Sequence, residues 1–321
     1  MAEAEAVLDL QQMLDLETPW CLRVAATLGI AEHIRAGHRD IADLAEAAGC
    51  DRDALHALLG YLAGKGVFTE QAPGRFACNE AADQLAEARQ FLDLDGIGGR
   101  MAHAWGTMLG YVRTGKPGYA ERFGLPFWED LAAHPRVAAS FDALMGPAGH
   151  GVPDFDIELS KGWDDVASVV DVGGGTGAML ANLLRRHPGA QGTLLDLPGT
   201  LARADLGDVA DRVTLAAQSF FDPLPAGADV YLLSKVLNDW ADAETVAILR
   251  RCAEAATGRT AVVVVGGVAP DDARPSLAID MLVAGGKTSS LTRFTDLAGR
   301  AGLRVAAAGH QGGRYVVECT P

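Results

Sequence analysis

The sequence predicts a two-part α/β protein. A mainly helical front part, built round a winged-helix unit, precedes a Rossmann-like domain whose sheet is mostly parallel with an antiparallel last strand. Three observations predict this. Apolar residues keep helical spacing to about residue 152, strand-like and helix-like stretches alternate from Val166 onward, and a glycine-rich loop, "VVDVGGGTGAML" (169–180), follows the first of those strands.

In the front part, "PWCLRVAATLGIAEHIRAG" spaces Leu22, Ala25, Ala26, Leu28 and Ile30 round one face and predicts one helix ending at Gly37. "DIADLAEAAG" and "DRDALHALLGYLAGKG" predict two shorter helices, each opened by an Asp that can accept from free N–H groups and each closed by Gly. "VFTEQAPGRFACN" predicts a hairpin turning at Pro73-Gly74. Three helices and a hairpin describe a winged helix, a unit best known for reading DNA. The third helix, however, carries Asp51 and Asp53 and only one Lys, Lys65, near its end, which favours a dimerisation and substrate-lid role. This domain is placed at residues 1–82. Residues 83–152 continue as a helical linker and substrate-lid region rich in large apolar side chains, most of them core. Because this region also holds His103 and His150 and ends just before the glycine loop, some of its members, Trp105 and Met145 among them, are candidates for the wall of an aromatic ligand's pocket.

The third region, residues 153–321, alternates. "VASVVDV", "QGTLLDLP", "RVTLAAQ", "ADVYLLSKVL" and "TAVVVVGGV" read as strands, with "GAMLANLLRRHP" and "DAETVAILRRCAEAA" as helices among them. Such alternation makes a parallel sheet with right-handed crossovers. The end reads as helix "LTRFTDLAGRAG", then strands "LRVAAAGH" and "GRYVVECT"; the connection between those strands is too short for a crossover, so they pair antiparallel.

A loop after the first strand of such a sheet lies at the switch point where ligands bind. The spacing here is Gly173-x-Gly175-x-Gly177, not the G-x-G-x-x-G of dinucleotide sites, and Asp171 precedes it. A carboxylate aimed into the loop repels a pyrophosphate and suits a cationic amino group. Asp196, at the next strand's end, stands about 20 residues on, where an acid takes ribose hydroxyls. A ligand with adenosine at one end and a zwitterionic amino acid at the other fits both, which points to S-adenosylmethionine, with S-adenosylhomocysteine as its product.

Composition narrows the partners. The formal net charge of −15 offers no cationic stripe for nucleic acid or anionic membranes, and no leader or membrane-length apolar run is evident. Cys21, Cys50, Cys78, Cys252 and Cys319 are scattered and odd in number, as expected of free thiols in a reducing cytoplasm, and suggest no metal framework.

The chain resembles the class I S-adenosylmethionine-dependent small-molecule O-methyltransferases with a winged-helix dimerisation domain, the type of plant phenylpropanoid and bacterial anthracycline and polyketide tailoring enzymes. "LGIAEHI", "GLPFWEDLAAHPRVAASFDALM", "DVGGGTG", "LLDLPG", "SFFDPLPAGADVYLLSKVLNDWAD" and "DMLVAGGK" carry the resemblance over nearly the whole chain. It implies a homodimer interlocked through N-terminal helices, an aromatic or polyketide substrate, and no metal. It also implies that Asp171, Gly173, Gly175 and Gly177 surround the methionine half of the cofactor, that Asp196 is the ribose-binding acid with Leu197 a further cofactor contact, that Phe220 lies against the adenine, and that Ser234 is a polar contact near the cofactor. Ser219 stands where the family has Asp in "GDFF", and its hydroxyl is expected to weaken cofactor binding by about 1 kcal/mol. Met145 and Met281 match methionines of the substrate slot, while "GGKTSS" replaces the usual "GGKERT", which puts one pocket wall in doubt.

The family's general base is the His of "HDW"; here Asn238 takes its place, followed by Asp239 and Trp240. Asn does not titrate near neutrality, so catalysis is expected to rest on proximity, with Asn238 orienting the acceptor and Asp239 either orienting or capping the next helix. His103 and His150 are candidates for a relocated base. The rival readings are a methyltransferase fold with a changed reaction (hydroxylation, decarboxylation, or N- or C-methylation), a transcription regulator, and a scaffold without activity.

Overall fold

A computed structural model describes residues 10–145, 156–274 and 277–321, and the chain divides into two compact units, Met1–Ala102 and His103–Pro321. In the first unit, helices Glu17–Thr27, Ile30–Arg35, Ile41–Ala48 and Arg52–Gly64 are followed by hairpin strands β1 (Phe68–Ala72) and β2 (Arg75–Cys78) and helix Glu80–Glu87. Leu44, Leu59, Leu62, Phe68 and Phe76 are buried at its centre. Asp51 caps its helix by accepting from Ala54 N–H at 2.8 Å, and Gly49, at φ +63, ends the preceding one.

Two sequence expectations need correcting here. The single helix expected over 19–37 is broken at Gly29, whose φ of +64 only glycine adopts cheaply and which starts Ile30–Arg35 in a new direction. Asp40 does not cap its helix; its carboxylate pairs with Arg75 at 2.7 Å and ties the wing to the helices.

The second unit is built on β3 (Ser168–Val172), β4 (Gln191–Asp196), β5 (Val213–Ala217), β6 (Val230–Ser234), β7 (Ala261–Val265), the short β8 (Val268–Ala269) and β9 (Ser289–Ser290), β10 (Arg304–Gln311) and β11 (Arg314–Thr320). Seven of them form one sheet in the order β10-β11-β7-β6-β3-β4-β5. β3 to β7 run parallel, and β11 is antiparallel to both β7 and β10. Helices on both faces bury the central strands; β7, "AVVVV", is buried at every residue, as a strand covered on two sides must be. The fold is thus the one the sequence predicts, a helical winged-helix domain and a Rossmann-like domain. No helix among the described residues is long and apolar enough to cross a membrane, and no described cluster of His, Cys, Asp or Glu could hold a metal.

Candidate active site

Strand order reverses between β3 and β6, and the loops after β3, β4, β5 and β6 leave the carboxyl ends of the sheet around that point. In the loop after β3, Gly173, Gly175 and Gly177 have φ of +69, +61 and +92. Space constrains it as much as torsion does. A Cβ at Gly174 would lie 2.6 Å from the Asp171 carboxylate, and one at Gly177 would lie 2.6 Å from Leu206. At Gly175 a Cβ would meet nothing within 4 Å, so the loop's backbone there faces open space. Its N–H donates to Asp196 Oδ2 at 2.9 Å, while Asp196 Oδ1 accepts from the Leu197 N–H at 2.7 Å.

Two carboxyl groups dominate the electrostatics. Asp171 is fully buried against Gly174, and neither of its oxygens has a hydrogen-bond partner at normal geometry among the described residues. Burial first, then the nearby Asp196 charge, push its carboxyl up to about 7, and the Leu180 N–H offsets little of this. Burial also raises Asp196, against the pull of the Leu197 and Gly175 N–H groups and of Arg203. Arg203 forms an ion pair with Asp142 of helix Pro135–Met145, which joins that helix to the segment after β4. A site with one buried, partnerless acid and a second acid beside it fits a cationic ligand and not a pyrophosphate.

Phe220 and Val236 close the other side of the loop, their side chains 3.2 and 3.0 Å from where a Gly173 Cβ would stand. The Ser219 hydroxyl accepts from the Phe221 N–H at 3.2 Å, a local turn that uses one of its lone pairs. Ser234 ends β6, and Lys235 after it has φ +55, alone among non-glycines of the described residues in that region. This sharp turn leads into the single 3-10 turn Leu237–Asp239.

Asn238 Nδ2 donates to Asp239 Oδ1 at 2.8 Å, so Asp239 sets the orientation of the Asn238 amide. The N-cap position of helix Asp242–Ala255 is Ala241, without a side-chain cap. Two glycines clamp this turn. A Cβ at Gly267 would lie 2.9 Å from Asn238 N, and one at Gly286 would lie 2.0 Å from the Asn238 carbonyl oxygen.

Of the expected substrate residues, Met281 lies on helix Ile279–Val283, which packs against both Leu237–Asp239 and the turn Trp105–Thr107. The elements that carry Trp105, Met281 and Asn238 therefore come together. Met145 ends helix Pro135–Met145, 38% exposed, and His103 is half-buried near the end of helix Ile97–Ala104. His150 lies outside the described residues. The altered "TSS" builds scaffold, since Ser289 and Ser290 form β9 and the Ser290 hydroxyl accepts from Arg293 N–H at 3.3 Å to cap helix Leu291–Arg300. Sequence reasoning did not single out Gly267, Gly286, Asp142 or Arg203. Only the "GG" doublets at 266–267 and 285–286 hint at close backbone approach.

A doubly wound sheet with a paired-acid glycine loop at its switch point and a clamped polar turn beside it defines an adenosyl-cofactor-dependent transferase. The chain belongs to the O-methyltransferase family: residues 105–304 match the model of the O-methyltransferase domain and residues 10–88 that of the O-methyltransferase dimerisation domain. It is similar to 2,7-dihydroxy-5-methyl-1-naphthoate 7-O-methyltransferase of Streptomyces carzinostaticus, 43% identical over 321 residues and 96% of either chain. It is also similar to aclacinomycin 10-hydroxylase RdmB of Streptomyces purpurascens, 39% identical over 93% of this chain and 84% of the relative. Among solved structures it resembles NcsB1, an O-methyltransferase from neocarzinostatin biosynthesis in complex with S-adenosylmethionine and 2-hydroxy-5-methyl naphthoic acid. The TM-score is 0.85 and the identity 41%, over 98% of this chain and 99% of that one.

Proposed function

We propose that this S-adenosylmethionine-dependent O-methyltransferase methylates a phenolic or similarly acidic hydroxyl of a small aromatic, polyketide-type natural product, chiefly by positioning. When bound, S-adenosylmethionine supplies an electrophilic methyl on a positively charged sulfur. Asp171 and the backbone of Gly173 to Gly177 would hold its amino-acid half, Asp196 and Leu197 its ribose, and Phe220, Ser219 and Ser234 the surroundings of the adenine. The partnerless Asp171 carboxyl supports that assignment, because an ammonium group is what it lacks. Trp105, Met145 and Met281 are assigned to the acceptor's slot.

The observation that carries the mechanism is the side-chain amide of Asn238, turned by Asp239, on a backbone held between two glycines. An amide cannot take a proton at neutral pH, but it can hydrogen-bond an acceptor oxygen and hold it in line. A general base contributes about 10²–10⁴-fold, roughly 3–5 kcal/mol, whereas orientation can supply about 7–11 kcal/mol. Positioning is the larger effect, provided the acceptor hydroxyl is acidic enough to lose its proton to water. Asp239 acts through Asn238 and is a positioning residue. We infer further that the chain works as a homodimer, supported by the dimerisation domain and by the exposed apolar Leu10, Met13, Leu14, Leu16 and Trp20 of the first unit.

Similarity to a 10-hydroxylase supports a second reading, a methyltransferase fold whose reaction has changed. Incubation with methyl-labelled S-adenosylmethionine and a panel of hydroxynaphthoates separates the two. Label in the aromatic product, matched by S-adenosylhomocysteine, is the expected result. An unlabelled, oxidised product formed at the expense of the panel compound would replace the first reading with the second.

A further inference from the structure

Trp128 lies in the first turn of helix Phe127–Ala133, and its indole Nε1–H is buried with no hydrogen-bond partner among the described residues. That is unusual, because a buried indole N–H ordinarily finds an acceptor. Trp163 in the same unit does so, donating to the Ile157 carbonyl at 2.5 Å.

The ring's neighbours place it beside the candidate site. It stacks on Trp240 with centroids 6.1 Å apart and planes 16° from parallel, and it meets Phe127 and Phe141 edge to face. Trp240 follows the Asn238-Asp239 pair directly and meets Phe220 edge to face at 5.8 Å, while Phe220 lies against Gly173 of the glycine loop. One aromatic wall therefore runs from the glycine loop, past the clamped turn, to the helix that carries Trp128.

We propose that Trp128 is a specificity-determining residue whose indole N–H donates to an oxygen acceptor on the aromatic substrate, a carboxylate or ring carbonyl set apart from the hydroxyl that is methylated. The inference rests on the reading of this site as an aromatic O-methyltransferase centre. The reasoning is one of unmet demand. A donor shut away from water without a partner is strained until an acceptor arrives, and a ligand oxygen that satisfies it gains on the same molecule without that oxygen. The flat wall recognises any aromatic ring; the N–H distinguishes those with an acceptor, and orients them.

Trp128→Phe keeps a ring and removes the donor. With 6-hydroxy-2-naphthoate as substrate, whose carboxylate lies on the ring opposite the hydroxyl, KM is expected to rise about 10- to 100-fold with kcat nearly unchanged. With 2-naphthol, which has the hydroxyl and no carboxylate, KM is expected to rise no more than about 3-fold, from the smaller ring alone, and the affinity for S-adenosylhomocysteine to hold. A second readout needs no variant. In ¹⁵N-Trp-labelled wild-type protein loaded with S-adenosylhomocysteine, the Trp128 indole N–H resonance should move downfield with the naphthoate and stay in place with 2-naphthol. An equal rise in KM for both compounds would assign Trp128 to packing and overturn the proposal, as would an indole resonance indifferent to the carboxylate. If the naphthoate shifts that resonance but wild-type protein methylates neither compound, the functional reading fails while the donor assignment stands.

Discussion

A carboxyl group buried without partners holds its proton, and Asp171 is such a group until something cationic reaches it. Its folded-state value of about 7 lies above the ordinary 3.8, so between those two values the folded chain keeps a proton that the unfolded chain has lost. The resulting stabilisation is fully present below about 4 and disappears as pH rises through 7; at ~1.4 kcal/mol per unit it amounts to at most ~4 kcal/mol. Thermal melts of the cofactor-free protein should therefore show Tm falling from pH 4 to 7 relative to Asp171→Asn, whose melting should lack that component. Parallel pH profiles for the two proteins would remove the carboxyl from the account. Asp196 bears on the same loop differently. Its two oxygens hold the Gly175 and Leu197 N–H groups, so Asp196→Ala loses loop anchors as well as ribose contacts. Calorimetry should show S-adenosylhomocysteine binding weakened by roughly 2–3 kcal/mol. Asn238→Ala, by contrast, should lower turnover less than 100-fold, and His103→Gln should leave measurable activity. Loss of more than 10⁴-fold in the His variant, with cofactor affinity intact, would show a relocated base.

At the level of elements, most of the second unit was legible because buried parallel strands write continuous β-branched runs, and the strands of the large sheet fall within the stretches read from the sequence except for Gln311 at the end of β10. The front helix was misread because leucine and alanine periodicity runs through Gly29, and nothing local announces that this glycine adopts φ +64. The residues proposed for the cofactor were open to sequence reading for a related reason: they lie at strand ends and in the loops that follow them. The acceptor side was not. Asn238 is seated by Gly267 and Gly286, and helix Ile279–Val283 with β8 and β9 brings Gly286 there, contacts that only tertiary structure creates. Lys287 adds an ion pair to Asp242 at 3.4 Å, which anchors the same segment. Gly286→Ala must displace the Asn238 carbonyl, and a displacement of about 1 Å typically costs on the order of 10²-fold in rate. Single-turnover kinetics should show that loss with S-adenosylhomocysteine affinity preserved; equal loss of both would mean that the variant disturbs the whole domain.

The molecule as a whole carries a net charge of −15 and yet exposes a strip of large apolar side chains near the start of the first unit, with Leu16 74%, Met13 65% and Leu14 62% exposed. Apolar exposure of this kind marks an interface, and a second copy of the chain satisfies it without adding a foreign partner. Leu16→Glu should shift sedimentation from dimer toward monomer at micromolar concentration, and an unchanged dimer would place the contact elsewhere. The glycine clamp has a consequence in time as well. During synthesis the chain emerges from its amino end, so the ligand-cradling loop and Asp196 leave the ribosome well before Gly286. Until that residue arrives, Asn238 has nothing to hold its carbonyl side, so the clamped turn is completed only when most of the domain has been made.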